Sequence, residues 1–89
     1  MEARLKYYYK RALKAGACPY SLAVMESSGT VERFLKHERA PSWLCWYAKY
    51  VRKRRWKAAE PYMATCYNVL LLYAAWFGIP IKEVLDGSD

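Results

Sequence analysis

Six basic side chains crowd one short stretch of this chain: Lys49, Arg52, Lys53, Arg54, Arg55 and Lys57, with no acid among them. A second group, Arg4, Lys6, Lys10, Arg11 and Lys14, lies near the start. Lysine and arginine in bulk do one kind of chemistry well. They neutralise phosphates, anionic membrane surfaces or acidic proteins. Trp56 stands inside the first group and could stack on an unpaired base. It could equally pack at the edge of a core, just as the basic group could be an ordinary solvated helix face.

Chemistry of other kinds is missing. His37 is the only histidine, and its neighbours Glu32 and Glu38 are ordinary company on a helix. Ser27-Ser28-Gly29 is a turn without the helix and base that would activate a nucleophile. There is no Gly-rich phosphate cradle. Cys18, Cys45 and Cys66 are odd in number and widely spaced. They make neither a disulfide framework nor a zinc site, and read as reduced thiols packed as small hydrophobes. The expectation is a non-enzyme with no metal and no cofactor, in a reducing, cytoplasmic setting. No secretory signal is visible in the charged N-terminus.

The elements that must position the basic groups follow from punctuation and periodicity. With 89 residues, 55% of them hydrophobic and a formal charge of +7, the chain suits one domain over 1–89. Leu5, Tyr8, Tyr9, Ala12 and Leu13 give helical spacing over 2–15, and Gly16 is a stop. Pro19 fits the first turn of a second helix, about 19–26, packed through Leu22, Ala23 and Met25. A third helix, about 30–38, carries Val31, Phe34 and Leu35 on one side and Glu32, Arg33, Lys36 and His37 on the other.

Pro41 ends that stretch and Ser42 caps a basic fourth helix over 43–57, with Trp43, Leu44, Tyr47, Tyr50 and Val51 as its apolar set. Pro61 opens a fifth helix that runs to Phe77, where Gly78 stops it. Residues 66–77 are apolar on nearly every side, which predicts a central, buried helix. Ile81 to Leu85 adds a last turn before a frayed Asp-rich tail. The fold class is therefore all-α, a compact bundle of about five helices.

The run SSGTVERFLKHERAPS, Ser27 to Ser42, resembles the second half of a helix-turn-helix in the phage repressor/Cro family. The family pattern is S-x-S-T-[VI]-S-R-[FIW]-x-x-G-x-R-x-P-S. Ser27, Thr30, Val31, Arg33, Phe34, Arg39, Pro41 and Ser42 fall in step with it. Leu72 to Leu85 is similar to the family's closing phrase, L-A-x-x-L-G-[VI]-x-[VILP]-x-E-[LV]-L. The turn between Leu22 and Thr30 is about two residues shorter than usual, and about thirty residues separate the two matching phrases where the family has about ten. The third helix also lacks the Gln, Asn and Ser that commonly read base edges.

The resemblance implies a helix-turn-helix over about 19–38. It also implies a small DNA-binding protein of a phage or mobile element, a dimer, working in transcriptional control. Double-stranded DNA would be its partner. Arg33, Lys36 and His37 would approach base edges or backbone, and Arg39 a phosphate. Arg52, Lys53, Arg54 and Arg55 would clamp the backbone. One alternative is a protein-interaction module that grips an acidic host or partner protein through its aromatic and basic surface. Another is a small membrane protein that spans with 61–81, a stretch without charge.

Overall fold

The computed structural model describes residues 1–85. The Asp-rich tail lies outside them. Helices and turns make up the described residues, with no strand among them. By internal contacts the chain divides into two compact units, Met1–Ala40 and Pro41–Asp89.

The first unit holds α1 (Ala3–Lys14), α2 (Pro19–Ser28) and α3 (Val31–Leu35), with α1 packed on α2 and α2 on α3. In α1 the buried positions are Leu5 and Ala12, one face at helical spacing. Leu13, expected to pack, is exposed. Proline opens α2, where its missing N–H costs nothing. Leu22, Val24 and Met25 are buried in α2, whereas Ala23, expected inside, faces solvent.

Gly29 ends α2 at φ +77°, a conformation that strains any residue with a side chain. Thr30 then caps α3, its hydroxyl accepting the Arg33 N–H at 3.2 Å. Phe34 is the buried anchor of α3. The helix expected over 30–38 is shorter than read. After Leu35 the N–H groups of Lys36 and His37 bond to Arg33 and Phe34, three residues back, and this tightening unwinds the helix. Lys36 and His37 are therefore turn residues.

The second unit departs further from expectation. Helix α4 (Ala40–Tyr47) begins before Pro41, which occupies the first turn instead of ending the previous element. A wide, π-type turn over Ala48–Arg52 follows, and Lys53 closes it at φ +59° by donating its N–H to the Ala48 carbonyl at 2.8 Å. A left-handed lysine cannot continue a helix. The basic helix expected over 43–57 thus stops at Arg52. A non-helical loop and a 3₁₀ turn over Lys57–Ala59 take its place.

The helix expected over 61–77 is two helices, α5 (Glu60–Met63) and α6 (Tyr67–Phe77). Thr65 sits between them, and its hydroxyl donates to the Tyr62 carbonyl at 2.7 Å. Such a local bond competes with helix continuation, and Cys66 is extended. Gly78 stops α6 in the left-handed region, and α7 (Ile81–Leu85) follows Pro80. Helix α5 packs on α6 and α7, and α6 on α7.

Helix α6 buries Val69, Leu70, Tyr73 and Ala74 but leaves Leu71, Leu72 and Trp76 exposed. It is half buried by faces, not central. Among the described residues no helix is long and apolar enough to cross a membrane, which removes the span at 61–81.

Candidate nucleic-acid interface

In the first unit α3 presents Arg33 and the turn after it presents Lys36 and Arg39, all exposed. Arg39 is held in two ways. Its N–H donates to His37 Nδ1 at 3.1 Å, and its guanidinium lies 4.5 Å from the centre of the exposed Tyr20 ring on α2. His37 is half-buried and used as a backbone acceptor, so it orients Arg39 instead of standing free.

A residue that the sequence reading passed over organises the same turn. The Glu2 carboxylate accepts the Val31 N–H at 2.9 Å, and the Glu2 N–H donates to the Gly29 carbonyl at 2.8 Å. The start of the chain thus clamps the α2–α3 turn and puts a negative charge at the start of α3, where it suits the helix dipole.

In the second unit the four clustered cations divide. Arg55 turns inward. Its Nε and a terminal nitrogen donate to both oxygens of Glu60 at 2.7 and 3.0 Å, and its other terminal nitrogen donates to Glu83 at 2.7 Å. Glu60 is 6% exposed and also accepts the Tyr73 hydroxyl at 2.6 Å. The Tyr73 oxygen in turn accepts the Trp56 N–H at 2.9 Å.

Burial alone would push the Glu60 carboxyl up. The hydrogen bonds from Arg55 and Tyr73 outweigh it and hold the group below the usual carboxylate range. Burial, and then Glu60, push the Tyr73 hydroxyl upward. Fork-to-fork pairing of this kind is the strong form of an ion pair. It fixes the loop on both sides of Arg55.

Arg52 leans on carbon. Its guanidinium lies 4.8 Å from the Trp56 ring centre, and its Nε is buried with no hydrogen-bond partner among the described residues. Trp56 continues onto Tyr47 at 5.3 Å, and Tyr47 stacks on Trp43 at 4.9 Å. Trp56 is thus a half-buried core edge, not an open stacking platform. Only Lys53 and Arg54 of the four stand exposed. Lys49, further back, places its ammonium 3.7 Å over Trp76 and 5.2 Å over Tyr50.

Between Pro41 and Leu85 the only carboxylates are Glu60 and Glu83, and Arg55 takes both. Among the described residues no other cation of that stretch forms an ion pair. What results is a loop with one arginine bolted inward, one stacked on tryptophan, and two positive side chains held out. Such a loop suits anionic oxygens, which need donors already in place.

The thiols are separate from this. Cys18 is exposed, Cys66 half-buried and Cys45 buried. Burial pushes the Cys45 thiol up to about 11, against the opposing pull of Lys49. Among the described residues no group of three His, Cys, Asp or Glu side chains could hold a metal ion. No protein-family model, characterised protein or solved structure matches the chain.

Proposed function

We propose that this chain is a small basic DNA-binding protein that acts by phosphate contact rather than catalysis. The observation that carries this is the 52–56 loop. Arg55 takes both carboxylates between Pro41 and Leu85, and Lys53 and Arg54 are left exposed on a fixed backbone. Positive charges pre-set in this way release counterions from a duplex at little ordering cost. In the first unit Arg33, Lys36 and Arg39 add a second group beside a helix–turn–helix path.

Helix α3 has five residues and spans about 7.5 Å, a single turn and a half. Few side chains on so short a helix can meet base edges, so affinity would come chiefly from charge and sequence discrimination would be small. The resemblance of residues 19–42 to the repressor/Cro family extends the reading to transcriptional control in the cytoplasm of a phage or mobile-element host, with a homodimer as the acting form.

The test is a titration against duplex DNA at several salt concentrations. Lys53→Gln with Arg54→Gln should weaken binding to all sequences alike and flatten the log–log salt slope by about 1.8, close to 0.9 per lost phosphate contact. Absence of salt-sensitive binding by the wild type would reject the proposal. A second reading then takes over, the binding of an acidic protein. It rests on the exposed rings of Tyr7, Tyr20, Tyr62 and Tyr67, a residue type that interfaces favour.

A further inference from the structure

A charge-free face of α6 stands open to solvent. Tyr67 is 60% exposed, Leu71 40%, Leu72 53% and Trp76 41%. Leu72 and Trp76 are one helical turn apart and share a stripe, with Tyr67 and Leu71 beside it at the same spacing. From Pro61 to Ile81 the chain has no ionisable acid or base other than tyrosines and Cys66. At one end of the stripe the Lys49 ammonium sits over the Trp76 ring, with the exposed Tyr50 ring centre 5.2 Å from it. Among the described residues of the same unit only Arg55 forms ion pairs, with Glu60 and Glu83.

We propose that this face lies on an anionic lipid surface, with Leu71, Leu72 and Trp76 in the acyl boundary and Lys49 at the headgroups. Three observations choose lipid over a second copy or a partner helix. An amphipathic pairing of tryptophan and leucine with a flanking lysine is the chemistry that settles at a bilayer interface.

Complementary charge is present, and each lysine or arginine near an anionic surface adds attraction without needing a shaped partner. The area is small for a protein partner. Eleven residues of helix give a strip about 16 Å long and about 10–12 Å wide, roughly 160–200 Å², well short of the roughly 800 Å² per side that a stable protein interface buries. The helix would rest on the bilayer and not cross it, in keeping with its length.

The experiment is co-sedimentation of the whole chain with phosphatidylcholine vesicles, with and without phosphatidylserine. Wild type should pellet with the phosphatidylserine vesicles only. Leu72→Gln with Trp76→Gln changes no charge and should cut that binding roughly tenfold. The same double variant should keep wild-type affinity for duplex DNA, so the test stands apart from the proposal above. Both positions are exposed, and circular dichroism checks that the variant is folded. Lys49→Gln gives an independent arm and should lower binding to phosphatidylserine vesicles while the apolar stripe stays intact.

Wild type that stays in the supernatant would overturn the proposal. Equal pelleting of wild type and the double variant would also overturn it, because charge alone would then explain the binding. A dimer in light scattering that the double variant turns into a monomer would assign the face to a second copy instead.

Discussion

Glutamine in place of Glu60 keeps the shape of the side chain and removes its charge. Three hydrogen bonds end on this carboxylate, two from Arg55 and one from Tyr73. An amide has one oxygen to offer and turns N–H groups toward at least one of those donors. Breaking a buried pair by removing one partner costs about 3–5 kcal/mol. Here Arg55 keeps Glu83 and some solvent, so the loss falls at or just below the bottom of that range, and about 2–3 kcal/mol is expected.

A domain of this size holds about 5–15 kcal/mol in all, so such a loss moves the urea midpoint plainly. Circular dichroism during urea titration reads it. The carboxyl titrates lower in the folded chain than unfolded. Its stabilisation is therefore complete above the ordinary carboxylate value and is lost as pH falls through the lower, folded value. Wild type should weaken toward acid more steeply than Glu60→Gln. Arg55→Gln should lose comparable stability without flattening the DNA salt slope, the opposite of the Lys53 and Arg54 changes. A loss under about 1 kcal/mol for Glu60→Gln, with no change in acid sensitivity, would refute the idea that this network holds the loop.

Phe34→Ala should cost about 3–5 kcal/mol, because the ring is 2% exposed and is the buried side chain of α3; urea denaturation measures it. Thiol labelling with a disulfide reagent should proceed in the order Cys18, Cys66, Cys45, and Cys45 should react only on unfolding, since its buried thiol ionises near 11.

The sequence carried the helical class and much of its punctuation. Gly16, Gly29 and Gly78 all mark helix ends at positive φ, and Pro19 opens a helix as its fixed φ dictates. Where reading failed, a long-range or side-chain effect had replaced local preference. No periodicity signals that Lys53 turns left-handed, nor that a threonine hydroxyl at position 65 diverts a carbonyl. Helix α6 misled through composition. An all-apolar helix normally sits inside, yet this one packs a single face and leaves Leu71 and Leu72 open.

The candidate site was legible as a cluster but not as roles. Arg52, Lys53, Arg54 and Arg55 are alike in sequence and unlike in space. One clue was present and unused. Glu60 is the only acid between Glu38 and Glu83, and a lone carboxylate beside a basic run invites an ion pair. Which arginine it would take depends on the turn at Lys53, which spacing does not reveal.

The wide turn over Ala48–Arg52 holds one residue more than an α-turn would. Length is therefore a variable in its own right at this point of the chain. Deleting one residue there would let an ordinary helix close. Everything after it would rotate by about 100° around the helix axis. Arg55 and Glu60 would travel together, but Trp56 would be carried off Tyr47, and Lys53 and Arg54 would face a new direction while every side chain kept its identity. Substitutions along 48–52 change the loop's chemistry a little at a time. A one-residue change in length would re-aim it in a single step.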